Sequence, residues 1–115
     1  MRKIKSNNAP SAIGPYSQAV ISNGFIFTSG QIGLNPKTND FQSRDFEIEA
    51  NQVFKNIEAL LKDSGSSIDN VIKMNIFLTD LSNFDKLNEI MCKIFDNDNL
   101  PSRSTLEVSA LPKGA

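Results

Sequence analysis

Apolar residues recur along this chain at two spacings, and the switches between them mark its elements. Gln18-Ala19-Val20-Ile21 and Phe25-Ile26-Phe27-Thr28 are short β-branched or aromatic runs joined through Ser22-Asn23-Gly24. Asn-Gly favours the positive-φ turn of a two-residue hairpin, so residues 18–29 are predicted to form one. A second turn cluster follows at Asn35-Pro36-Lys37-Thr38-Asn39-Asp40. From about Arg44 to Lys62 the spacing becomes helical. Ala50, Val53, Phe54, Ile57, Leu60 and Leu61 form one stripe, while Glu47, Glu49, Asn51, Lys55, Glu58 and Lys62 take the wet side. Ser43 or Asp45 can cap this helix, and Ser64-Gly65 can end it.

Period 2 returns at Val71–Leu78. Ile72, Met74, Ile76 and Leu78 make a wholly apolar face that helices must cover; Val71, Lys73, Asn75 and Phe77 make a mixed one. A second helix is predicted from about Leu81 to Phe95, with Phe84, Leu87, Ile90, Met91, Ile94 and Phe95 as its stripe and Ser82 or Asp80 as its cap. After Pro101, a last strand carries Arg103 and Thr105 on one face and Ser104, Leu106 and Val108 on the other. The order strands, helix, strand, helix, strand predicts an α+β fold. Two helices should pack on one face of a mixed sheet, in a single domain spanning residues 1–115.

Composition narrows the chemistry. A net charge of −1, a pI near 5.3 and no run of Lys or Arg argue against direct nucleic-acid binding. No window has the length and apolarity of a membrane span, and basic Met1–Lys5 leads into polar residues rather than a signal-peptide core, so a cytoplasmic location is expected. The lone Cys92 has no internal partner, which suits a reducing compartment. It is expected to be a small buried hydrophobe. The chain has no histidine, which excludes a Ser-His-Asp triad and histidine-ligated metal. One cysteine cannot build a zinc site, and Gly30-Gln31-Ile32-Gly33 fits no nucleotide fingerprint. No metal site is expected.

Arg103 is the one residue whose setting is unusual, a guanidinium held on a strand. It offers a planar fork for a carboxylate or phosphate, but on residue type alone an edge-strand arginine in water or a structural ion pair is the expected reading. Its neighbours complete a pattern. Gly14-Pro15-Tyr16-Ser17-Gln18-Ala19, Thr28-Ser29-Gly30-Gln31-Ile32-Gly33 and Pro101-Ser102-Arg103-Ser104-Thr105-Leu106-Glu107-Val108, in this order, resemble the reactive intermediate deaminase A (RidA, or YjgF-like) family. So do Asn70–Leu81 and the closing Ala110-Leu111-Pro112-Lys113-Gly114-Ala115.

That resemblance implies a chorismate-mutase-like α+β fold assembled as a homotrimer with sites at subunit interfaces. It implies a 2-iminobutanoate/2-iminopropanoate deaminase, a hydrolase acting on C–N bonds that needs no cofactor and converts reactive 2-aminoacrylate-type enamines and imines to 2-oxo acids and ammonia. Arg103 matches the arginine that clamps the substrate carboxylate, and Tyr16 the cleft tyrosine. Ser29, Gly30, Asn88 and Thr105 match the pocket's substrate-binding positions. Read without the resemblance, Tyr16 is a half-buried structural tyrosine and Ser29-Gly30 a strand end. Asn88 is then a helix residue with its amide in water. Relatives usually continue past the Leu-Pro-Lys-Gly-Ala wording with one more strand, whose glutamate orients the attacking water. Here the sequence ends at Ala115, and Glu107 does not occupy the matching position. A non-catalytic sensor of small carboxylates is therefore the alternative expectation, and a ribonuclease or translation inhibitor, a description attached to the same family, the third.

Overall fold

A computed structural model describes residues 1–115. The hairpin forms as its turn residues dictate: β2 (Ala19–Ser22) pairs antiparallel with β3 (Phe25–Thr28). Asn23 and Gly24 both sit at positive φ, 51° and 78°, which matches the primed turn that suits strand twist. A strand not expected from the pattern, β1 (Arg2–Ile4), pairs antiparallel with β2. It is three residues long and basic, so it shows no apolar alternation; charged edge strands of this kind also discourage further pairing.

Helix α1 (Phe46–Asp63) starts two residues later than expected, because Asp45 is its cap and accepts from the Ile48 N–H at 3.3 Å. It ends at Ser64, and Gly65 turns the chain at φ 85°. The next strand, β4 (Lys73–Leu78), is shorter than the apolar run, since Val71 closes a 3-10 turn over Ile68–Asn70. Ile72 thereby falls outside the strand, exposed rather than on the covered face. The predicted second helix divides into a 3-10 turn (Leu81–Asn83), capped by Asp80, and α2 (Phe84–Ile94). β5 (Ser102–Glu107) follows.

The strands form two ladders rather than one mixed sheet. One is antiparallel, in the order β1-β2-β3; the other is the parallel pair β4-β5, joined by the α2 crossover. No hydrogen bond of a ladder links β3 to β4. Periodicity identifies strands but carries no information about which edges meet. The two helices still cover one side. Phe54 of α1, Met74 and Leu78 of β4, Leu87, Ile90 and Met91 of α2, and Phe95 close a single core, with the Phe54 and Phe95 rings edge-to-face at 6.2 Å. The opposite side of the parallel pair stays open: Lys73, Asn75, Phe77, Ser104 and Leu106 are all exposed there.

One α1 side chain departs from its predicted wet side, and a polar one outside both predicted sets is buried. Glu49 is half-buried, with Oε1 shielded from water and unbonded; burial raises its carboxyl pKa, against the nearby Arg44 charge. Asn56 is fully buried, and its amide donates to the carbonyls of Leu34 (2.9 Å) and Ile32 (3.3 Å). These bonds pin the segment after β3 onto the helix. Cys92 is exposed, not buried, because it falls beside the α2 stripe rather than in it.

Candidate functional site

β5 places Arg103 opposite Met74 and Thr105 opposite Ile76 in the parallel register. Met74 is buried under the helices, so Arg103 and Thr105 lie on the helix-facing side, as strand parity predicts. Arg103 is half-buried there. Its Nη1 donates to Asn88 Oδ1 at 2.7 Å and to Met91 Sδ at 3.4 Å, and its Cζ lies 5.1 Å from the centre of the Phe84 ring. Phe84, Asn88 and Met91 are spaced i, i+4, i+7, one face of α2. The helix thus provides a seat for the guanidinium from a ring, an amide oxygen and a thioether. None of these carries charge. The chain's ion pairs involve only Lys86 with Glu47 and Glu89, so Arg103 is neither a solvated edge arginine nor half of a structural ion pair. It is a half-buried cation without a counter-ion in the chain.

Thr105 continues this face. Its Oγ1 is buried and has no hydrogen-bond partner. Asn88 is not the solvated amide that helix spacing alone suggests; it is bonded to Arg103. Glu107, third along the same face, is engaged elsewhere, accepting the Leu81 N–H at 2.9 Å.

Tyr16, Ser29 and Gly30 form a second group. Tyr16 sits in the loop before β2, half-exposed, and its Oη accepts the Ile13 N–H at 3.2 Å. The phenol proton is therefore free to donate. Gln18 organises that loop, its amide nitrogen donating to Ser6 O (3.1 Å) and Pro10 O (2.7 Å) while its oxygen accepts the Ser6 N–H. No sequence motif flags Gln18 for this, since the bonds span eight to twelve residues of irregular chain. Ser29 Oγ donates to Ser17 O at 2.6 Å, tying the end of β3 to the same loop. Tyr16 and Gly30 line one cavity of about 200 Å³ together with Gln18, Gln31, Ile32 and Pro112. An added Cβ at Gly30 would meet nothing within 4 Å, and its φ is not positive. No contact within the chain requires glycine there.

The structure therefore joins Arg103 to Asn88 directly and places Thr105 on the same face. It joins Ser29 to the Tyr16 loop and sets Gly30 beside Tyr16. No hydrogen bond links the two groups within one chain, and the cavity that holds Tyr16 and Gly30 is not lined by Arg103, Asn88 or Thr105. A larger hollow of about 430 Å³, lined by Arg44, Phe46, Glu49, Thr79, Asn83 and the Gly114–Ala115 turn, contains none of the predicted residues. No cluster of three or more His, Cys, Asp or Glu side chains could hold a metal, and no helix is long and apolar enough to cross a membrane.

Comparison with known proteins follows the same residues. The sequence profile of the family described as Endoribonuclease L-PSP matches residues 6–115. Human 2-iminobutanoate/2-iminopropanoate deaminase is 42% identical over 114 residues, spanning 99% of this chain and 82% of its own. The chain belongs to the RidA family. Its α+β architecture is the RidA/YjgF fold: YyfA from Yersinia pestis, a Rid family protein, superimposes with a TM-score of 0.95 at 49% identity, over 98% of this chain and 90% of that one. E. coli TdcF, solved with bound serine, gives a TM-score of 0.91 at 35% identity, over 99% and 91%. The RidA segments quoted from the sequence are those that carry Arg103, Tyr16 and Ser29-Gly30.

Proposed function

We propose that this RidA-family protein is an imine deaminase. It hydrolyses 2-iminobutanoate, 2-iminopropanoate and their enamine tautomers to 2-oxo acids and ammonia. The observation that carries this reading is the half-buried Arg103, seated by α2 and without any carboxylate partner. The names of relatives agree with it, since the human relative is called a deaminase of these imines and TdcF was solved with an amino acid bound.

In this reading the substrate carboxylate takes the place of the missing counter-ion. Fixing the small acid by one end presents its C=N carbon to water. Water adds to that carbon, the nitrogen gains protons, and the C–N bond breaks to release ammonia and leave the 2-oxo acid. Tyr16, whose hydroxyl proton is unspent, serves as the donor to the nitrogen. The two groups of site residues meet between copies of the chain in a homotrimer, where the Tyr16, Ser29 and Gly30 group of one copy faces the Arg103 of its neighbour. Open space at Gly30 supports this, as does the exposed face carrying Phe77 and Leu106.

The test is 2-oxobutanoate release from freshly generated 2-iminobutanoate, with RNA cleavage measured on the same sample. Accelerated release without cleavage is the expected result. Release at the uncatalysed rate, with 2-oxobutanoate still bound, would instead identify the carboxylate-binding alternative. RNA cleavage that survives purification would identify the ribonuclease.

A further inference from the structure

Arginine presents two bidentate edges, and the structure closes one of them. Nη1 carries two hydrogens; Asn88 Oδ1 takes one at 2.7 Å and Met91 Sδ lies at 3.4 Å. Nη1, which an end-on pair needs, is thus engaged by the protein. Nε and Nη2, the side-on edge, have no acceptor in the chain. Asn88 also fixes the direction of the guanidinium, because its oxygen anchors Nη1 and so restrains the Cγ–Cδ and Cδ–Nε torsions that aim the remaining edge. The Phe84 ring beside the guanidinium adds a planar boundary without a competing charge.

From this we infer that Asn88 is a positioning residue. It acts through Arg103 rather than on the substrate, and holds the Nε/Nη2 edge outward for a planar carboxylate. The inference rests on the reading of Arg103 as the carboxylate clamp. It assigns Asn88 a different task from direct substrate contact: without its oxygen the side chain reorients about its Cγ–Cδ and Cδ–Nε bonds, and a bidentate pair must order it at every binding event. An uncharged acceptor is required, since a carboxylate at this position would hold the same geometry while neutralising the charge that attracts the ligand.

Two measurements on the ligand-free and pyruvate-bound full chain test it. The first is nitrogen NMR of the Arg103 amino groups; the second is pyruvate affinity by calorimetry. Wild type should show two distinct, slowly exchanging Nη signals. Asn88→Ala should merge them and weaken pyruvate about tenfold, the loss expected when an ordered charge-assisted pair becomes disordered. Asn88→Asp should keep the signals distinct yet bind pyruvate more weakly still. A purely structural Asn88 would lower the melting temperature of its variants without altering the Arg103 signals. Unmerged signals in Asn88→Ala, or pyruvate affinity within about twofold of wild type, would overturn the inference. Arg103→Ala separates the two levels. If that variant still binds pyruvate, the clamp itself is misassigned; if it loses binding while Asn88→Ala does not, only the role of Asn88 fails.

Discussion

Glu107 accepts the backbone N–H of Leu81 at 2.9 Å, tying the end of β5 to the turn that opens α2. Strand parity alone places this carboxylate on the same face as Arg103, where it would be the nearest candidate to activate water. The hydrogen bond gives it another role, satisfying an N–H at a helical turn that has no carbonyl partner. Glu107→Gln keeps an acceptor oxygen and is expected to leave imine hydrolysis within about twofold of wild type. Glu107→Ala should lower the melting temperature by on the order of 4 °C, the size of a lost cap in a small domain. A large fall in turnover with Glu107→Gln at unchanged melting temperature would return the residue to the chemistry.

Arg103→Ala should abolish deamination and weaken 2-oxo acid binding by about 2–4 kcal/mol, with the fold retained. Arg103→Lys should rescue poorly, because an ammonium has no planar fork and cannot place one donor on Asn88 while offering two to a carboxylate. Near-normal turnover in Arg103→Ala would remove the central residue of the site.

Phe77 and Leu106 are register partners on β4 and β5, both about half-exposed on the side away from the helices. Phe25 and Phe27 are similarly exposed on β3, alternating with half-buried Ile26. So much aromatic surface on strand faces is what an interface between copies requires. Light scattering is expected to give the mass of three chains, and Phe77→Glu to give the mass of one, with deamination lost in parallel. Monomeric wild type at high concentration would contradict a shared site.

Local chemistry was legible in the sequence wherever the signal lay within a few residues. Asn23-Gly24 specified the hairpin, Ser64-Gly65 ended α1, and strand parity put Arg103 and Thr105 on one face. The features that were not legible depend on distant partners. β1 is too short and too basic to show a period. Glu49 and Asn56 occupy positions whose burial is set by the Gly33–Leu34 segment folding over α1. The pairing of Arg103 with Asn88 joins residues fifteen apart across a strand and a helix, and nothing in either residue's local sequence announces it.

Gly30 and Gly33, three residues apart, should respond oppositely to a methyl group. At Gly33 an added Cβ would stand 2.7 Å from both Glu49 Cγ and the Glu49 carbonyl oxygen. The backbone of α1 cannot withdraw that far without disturbing its hydrogen bonds. Gly33→Ala is expected to cost about 1–3 kcal/mol, the usual penalty of overpacking, read by chemical denaturation. At Gly30 the space is open within the chain. Gly30→Ala should leave monomer unfolding unchanged yet reduce imine hydrolysis or assembly, where a ligand or a second copy approaches. Equal effects of both substitutions on stability alone would mean that Gly30 has no such visitor.

Two carboxyls, Asp63 and Glu49, should contribute to the pH dependence of stability with opposite signs. Asp63 accepts hydrogen bonds from the Ser6 hydroxyl and the Asn8 amide, which lower its pKa below the ordinary 3.8. Its stabilising contribution is present above the unfolded value and is lost as pH falls through the folded one. Glu49 is the reverse. Burial raises its pKa above the ordinary 4.5, with the Arg44 charge acting in the other direction. Below 4.5 both folded and unfolded states hold the proton and the group contributes nothing. As pH rises from there through the folded pKa, only the unfolded state ionises without penalty, so stability falls. Glu49→Gln should therefore raise the melting temperature at neutral pH and leave it unchanged near pH 4, with the gap opening between these limits. Ser6→Ala should have its effect at neutral pH and lose it in acid. A Glu49→Gln difference independent of pH would show that the gain comes from packing rather than from a desolvated charge.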